Sequence, residues 1–268
     1  MQSAVGQCVA LVTYAQLALE GNPEPFDWKS NPWFAHTAEY RFGVGKRGGP
    51  VQAEDPAAWI EGLSQNGFRS AALFVEPYNG SRETINFVGF AGGLRIAPVT
   101  TMDGGEEIIW HEETRFDPVA QAWHVYRGGF RVMPGQDRVR VTMDAAESGL
   151  RAALEGMVEF QRTHRAGEPY FAEMFDAGLA VLDGRASGEK EQEALKRARE
   201  MFPTRHDLRA VRLVASVEAS WALGGMGWWN DWGTGDEAVE RSFHETTETY
   251  YCAMMAALAA ACVPRSES

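Results

Sequence analysis

The sequence has few cysteines and no excess of basic residues, and each shortage argues against a class of protein. Its three cysteines, Cys8, Cys252 and Cys262, form neither a disulfide framework nor the spacing of a zinc site. A reducing compartment is therefore favoured. Lysine and arginine number 25 against 37 aspartates and glutamates, which gives a formal net charge of −12. Because nucleic acids are bound by basic faces, we expect no nucleic-acid partner.

Several short motifs of catalysis and ligand binding are also missing. The sequence contains no Gly-x-Ser-x-Gly elbow, no His-Glu-x-x-His and no EF-hand loop. The basic, glycine-rich segment 45–50 lacks the spacing of a phosphate-binding loop and predicts a turn instead. No reaction is therefore indicated by a local motif.

Long apolar runs are absent as well. The most apolar stretch, residues 252–262, is too short and too rich in alanine for a membrane span, and the first 19 residues lack the basic start of a secretion signal. We therefore expect no membrane partner and a cytoplasmic location. Because residues 252–262 are apolar on every side, they predict burial in the body of the chain or a homo-oligomer contact through the C-terminal helix.

Hydrophobic periodicity divides the chain into two halves. Apolar residues at steps of three and four predict helices from Asp144 to the C-terminal end, and two shorter helices, 8–19 and 56–65, in the first half. Alternation predicts the strands, which are 37–44, 71–75, 84–90, 94–99, 106–115, 122–132 and 136–142. The fold class is therefore α+β, with an antiparallel β-rich N-terminal half packed with an all-helical C-terminal half. The boundary separates residues 1–143 from 144–268, as two regions or as one continuous domain.

The segment between the final two helices is the most distinctive in the chain. It holds three glycines within four residues, followed by three tryptophans within five. Glycines allow close backbone approach, and indole rings are well suited to line pockets or interfaces. The segment predicts a binding site formed by Trp228, Trp229, Asn230, Asp231 and Trp232. The alternative is a loop whose rings fill the protein's own core.

The helix that precedes this segment carries a carboxylate among apolar residues. The helix is predicted to begin at Thr204, and Glu218 points into the middle of its apolar face. An isolated buried charge is costly, so Glu218 is expected either to pair with an arginine or to serve the tryptophan site with a perturbed pKa. The opposite face is the predicted polar strip, formed by Arg209, Arg212, Ser216 and Ser220.

The strands 106–115 and 122–132 predict a hairpin with its centre near residues 118–119. Residues that lie opposite each other on one face of a hairpin have side chains in contact. In this register the facing pairs are Glu113 with His124 and His111 with Tyr126.

The facing pairs suggest a metal site. His111, Glu113 and His124 supply two imidazoles and one carboxylate, which is a ligand set for a divalent metal. A register shifted by one residue separates them, so a polar, solvated sheet face is the alternative. Trp110 and Trp123 are expected on the other face, toward the core.

Two functions follow from these candidate sites. Nine tryptophans, an acidic charge and the missing motifs favour a protein that binds a protein or small-molecule partner through the tryptophan segment, without a cofactor. An inhibitor or immunity-like protein that blocks a basic toxin or nuclease is one form of this hypothesis. The alternative is a metal-dependent hydrolase with His111, Glu113 and His124 as ligands and Glu218 or Asp231 as base.

Overall fold

The computed structural model describes residues 1, 3–81, 84–85, 96–133, 136–166, 169–224, 229 and 232–263. In these ranges the chain is α+β, which confirms the predicted fold class. A six-stranded sheet is formed by the N-terminal half, and the C-terminal half contributes helices.

The helices largely follow the predicted periodicity. The helices with both ends in the described part of the first half are α1 (Ser3–Leu19) and α2 (Pro56–Gln65), and a 3-10 turn spans Pro32–Phe34. In the second half they are α3 (Met143–His164), α4 (Tyr170–Leu182), α5 (Glu189–Arg199), α6 (Leu208–Ser220) and α7 (Glu237–Ala261).

The start of α6 differs from the prediction. Asp207, and not Thr204, is the N-cap, and its carboxylate accepts a hydrogen bond from the backbone N–H of Arg209 at 2.8 Å. The predicted polar strip is also only partly exposed to solvent. Ser216 and Ser220 are fully buried, because Gly178 on α4 lets the two helices approach closely and their hydroxyls donate to backbone carbonyls.

The sheet is mixed, with the strand order β2-β1-β6-β5-β4-β3. Strand β1 runs parallel to β6, and the other neighbouring strands are antiparallel. The strands are β1 (Thr37–Val44), β2 (Val51–Ala53), β3 (Phe68–Val75), β4 (Ile96–Met102), β5 (Glu107–Asp117) and β6 (Ala122–Arg131).

Two predicted strands are not strands in the described residues. Residues 136–142 have no regular structure, and one backbone bond, from Val139 N–H to the Val75 carbonyl at 2.9 Å, ties them to β3. Val139 and Val141 still pack against the core, so their alternation reports one-sided burial and not strand pairing. Thr84 and Ile85 are helical, and the rest of the predicted strand 84–90 lies outside the described residues.

Helix α1 lies between the sheet and the C-terminal helices. Its Gln16 side-chain amide donates to the carbonyls of Ala71 at 3.0 Å and Cys262 at 2.7 Å. The Thr13 hydroxyl donates to the carbonyl of Met201 at 2.6 Å. One apolar core therefore continues across residue 143, and α1 is hydrogen-bonded to both of its parts.

The apolar end of α7 is buried inside this body. Met254, Met255 and residues 257–261 pack into the core, which is one of the two alternatives predicted for this stretch. In the described part of the chain, no helix has the length and apolar character needed to cross a membrane.

Candidate functional site

The predicted tryptophan site is partly described, and its described part faces inward. Trp229 has no exposed surface, and its indole N–H donates to the Thr247 hydroxyl at 2.9 Å. Its ring contacts four phenylalanines of α3, α4 and α7, which with it form the Trp229 cluster: Phe160, Phe171, Phe175 and Phe243. Trp229 thus fills the core, as the alternative interpretation predicted, and offers no surface to a partner.

One other member of that predicted site, Trp232, is among the described residues. Trp232 is half-buried and packs on Phe160 and Phe243 with ring centroids 5.8 and 5.0 Å apart. Trp228, Asn230 and Asp231 lie outside the described residues.

Glu218 is paired with an arginine. Its Oε1 lies 2.7 Å from Nε of Arg197, and its Oε2 lies 2.7 Å from the amino group of Met1. This confirms the first interpretation of Glu218, a buried carboxylate held by an internal salt bridge.

The hairpin of β5 and β6 forms, but in a different register from the prediction. Glu113 lies opposite Tyr126, and His111 lies opposite Gly128, a shift of two residues along β6. The cause is the turn, where the Asp117 carboxylate accepts the backbone N–H groups of residues 119 and 120 and Gln121 has a φ of 50°. A shift of two preserves the face of each side chain but changes its neighbours.

The predicted metal ligands are therefore not assembled. His124 instead contacts Glu39 of β1, with Nδ1 2.8 Å from Oε2, and its Nε2 is 3.8 Å from Asp117. His111 packs against the ring of Phe130. Among the residues that the structure describes, no group of three or more histidine, cysteine or carboxylate side chains is placed to hold a metal ion. The hydrogen bond between His124 and Glu39 lowers the pKa of the Glu39 carboxyl.

The opposite face of the hairpin borders a cavity. There, α1, the 3-10 turn at 32–34 and the ends of β5 and β6 enclose a cavity of about 510 Å³. This volume is in the range of cavities that hold small organic ligands. We call it the Glu112 cavity, after the carboxylate in its wall.

Aromatic rings and an aliphatic side chain form the apolar walls: Trp33, Phe116, Trp123 and Val125. Phe116 and Trp123 face each other across the hairpin with centroids 5.0 Å apart, and they are 42% and 39% exposed. Trp33 is buried at the other side, where Gly6 of α1 leaves room for it: a Cβ on Gly6 would lie 2.2 Å from the ring. Trp123 is on the core-facing side of the sheet, as predicted, but it borders an opening.

The polar walls centre on a buried ion pair. Glu112 and Arg127 lie directly opposite each other on β5 and β6, and the guanidinium donates to Glu112 Oε2. Arg127 has no exposed side-chain surface, and Glu112 has 3%. The other hydrogen bonds of Arg127 go to residues that are not among those lining the cavity, to the hydroxyl of Tyr40, the carbonyl of Trp110 and Sγ of Cys8.

Burial controls the protonation of this cluster. It raises the pKa of Glu112 against the opposing effect of Arg127. It also raises the pKa of the Cys8 thiol to about 11 and that of the Tyr40 phenol. Burial disfavours the charge of Arg127, but Cys8, Tyr40 and Glu112 together raise its pKa. Near neutral pH the thiol and the phenol are therefore uncharged, and Arg127 is a cation.

A hydroxyl next to Glu112 lacks a hydrogen bond. Thr114, two residues along β5, also lines the cavity, and its Oγ1 is buried without a partner among the described residues. Native proteins satisfy most of their buried polar atoms, so an unsatisfied one at a cavity wall is a potential ligand contact.

A second cavity, of about 610 Å³, lies between β3, residues 138–144 and helices α6 and α7. Two of the arginines that line it are paired within the chain, Arg209 with Asp144 and Glu147, and Arg138 with Glu107, and Arg140 lines it as well.

The sequence interpretation assigned no role to Glu112, Arg127 or Trp33. One signal was available: Glu112 shares the alternation phase of Trp110, so it too was expected to face the core, where a carboxylate needs a partner. The predicted register placed Val125 opposite Glu112, so it did not predict the pairing of Glu112 with Arg127. Searches of protein-family models, of curated proteins and of solved structures found nothing that matches the chain.

Proposed function

We propose that this chain is a binding protein for a small organic molecule and that the Glu112 cavity is its site. The observation that carries the proposal is a roomy cavity walled by three aromatic rings, with a buried carboxylate beside them. Ligand sites in proteins combine mostly apolar walls with a few fixed polar groups, and this cavity has that composition.

The fixed position of the polar group also supports the proposal. The carboxylate of Glu112 is held by Arg127, which is itself held at Tyr40 and Trp110. A polar group that is already oriented loses little conformational freedom when a ligand binds.

The test is to fill the cavity. Ala4 of α1 lines it, and Ala4→Phe places a ring inside, whereas Ala253→Phe places the same ring at a half-buried alanine of α7 away from the cavity. The neutral naphthalene dye prodan serves as the probe, and its fluorescence reports binding. We expect the wild-type protein and Ala253→Phe to bind prodan equally, and Ala4→Phe to bind it at least about tenfold more weakly.

Two results would contradict the proposal. Wild-type protein that leaves prodan fluorescence unchanged would show that the cavity does not admit an apolar ligand. Equal binding by wild type, Ala4→Phe and Ala253→Phe would place the dye elsewhere.

A further inference from the structure

We infer that the Glu112 cavity selects ligands with a positively charged amine. This inference rests on the proposed function and adds the chemical class of the ligand. It follows from the charges at the wall, from the free acceptors and from the aromatic rings.

The first argument is the charge of the wall. Among the described residues that line the cavity, Glu112 is an acid, and none is a lysine or an arginine. Carboxylates and phosphates are bound by basic side chains or by clustered backbone N–H groups. An anionic ligand would therefore meet Glu112 with no lysine or arginine among the described wall residues, where the other ionisable side chain is the imidazole of His36.

The second argument is the orientation of the ion pair. Arg127 lies behind Glu112, and its donors are directed to Glu112, Tyr40, Trp110 and Cys8. The pair thus turns its negative end toward the cavity. In the described part of the chain, Arg127 is the only hydrogen-bond partner of Glu112, and it engages Oε2. A carboxylate can accept about four hydrogen bonds, so capacity remains for a ligand N–H.

The third argument is the second acceptor at the wall. The unsatisfied Oγ1 of Thr114 lies on the same face of β5 as Glu112, two residues away. An ammonium group carries up to three N–H donors and no acceptor. It matches a carboxylate next to a hydroxyl better than a ligand acceptor does.

The fourth argument is the aromatic wall. Trp33, Phe116 and Trp123 present π faces or edges, and the face of an indole attracts cations within about 6 Å. Trp33 already shows this chemistry, because the guanidinium of Arg197 lies 4.5 Å from its ring centroid. Aromatic rings beside a carboxylate form a setting in which a desolvated amine is stabilised from several sides.

The experiment uses three ligands with one ring and similar size that differ in charge. Phenethylamine is a cation at neutral pH, 2-phenylethanol is neutral and 3-phenylpropionate is an anion. Binding to the full chain is measured by titration calorimetry at low ionic strength. We expect the amine to bind at least about tenfold more tightly than the alcohol, and the propionate more weakly than both.

A variant links the preference to Glu112. Glu112→Gln keeps the shape and removes the charge, so it should reduce the affinity for the amine much more than that for the alcohol and bring the two affinities together. Because this variant leaves Arg127 without its partner and can unfold, the charge series on wild-type protein decides the question alone.

The outcomes separate the two proposals. The amine preference is overturned if the alcohol binds as tightly as the amine, or if the propionate binds more tightly than the amine. The cavity would still be a binding site in that case, provided that Ala4→Phe weakens the binding of prodan. Failure of prodan and of all three phenyl compounds to bind overturns both.

Discussion

Two regions of this protein are rich in aromatic rings, and they use them in opposite ways. In the Trp229 cluster the rings are closed on one another, and the single indole N–H is satisfied by Thr247. At the Glu112 cavity the rings of Phe116 and Trp123 pack on each other but keep about two fifths of their surface exposed. The difference shows that an aromatic segment in a sequence is a core or a site according to what its neighbours leave uncovered.

The largest expected effect comes from removing a ring from the closed region. Trp229→Ala should lower the free energy of unfolding by about 3–5 kcal/mol, because it leaves a large cavity among packed rings. Chemical denaturation followed by circular dichroism measures this loss. Trp123→Ala is the matched control and should cost less than about 1 kcal/mol, since its ring is partly in solvent. Similar losses for the two variants would erase the distinction between the regions.

The next effect concerns the buried ion pair beneath the open region. Arg127→Met should destabilise the fold by about 3 kcal/mol, because it leaves the Glu112 carboxylate buried without its partner. Adding Glu112→Leu to that variant should recover most of the loss, since an apolar pair needs no compensation. The same denaturation measurement applies. If the double variant were less stable than Arg127→Met, the pair would not be the source of the cost.

The smallest expected effect concerns His111, which lies on the opposite face of β5 from Glu112. Burial, helped by the charge of Arg127, lowers the pKa of His111 below its ordinary value of 6.5. The neutral imidazole is thus favoured by folding, so its contribution to stability is present above pH 6.5 and is lost as the pH falls below that value. His111→Asn should flatten the fall of the unfolding free energy between about pH 7 and 5. An NMR titration of His111 with a midpoint at or above 6.5 would contradict this expectation.

Local chemistry explains which parts of the fold could be predicted. The span of α2 follows from Asp55 and Pro56 at its start, and that of α7 from Asp236, since these caps act within one turn of the helix. The same reasoning failed at α6, where Thr204 and Asp207 are both reasonable caps and the tertiary fold selects the later one.

The candidate site could not be predicted because it depends on a turn. The side chain of Asp117 and the left-handed conformation of Gln121 set the length of the loop between β5 and β6. That length decides whether Glu112 faces Val125 or Arg127. Trp33 adds a second non-local dependence, because it reaches the cavity through a 3-10 turn that packs on Gly6.

The position of α1 has a consequence for the order of folding. Its hydrogen bonds from Thr13 and Gln16 reach partners 188 and 246 residues away in sequence. Contacts of such high sequence separation slow folding, so during synthesis the side of α1 that meets Met201 and Cys262 stays uncovered until α7 has left the ribosome. The face of α1 that meets the C-terminal helices is thus covered among the final steps of maturation, and nascent chains should depend on chaperones until then.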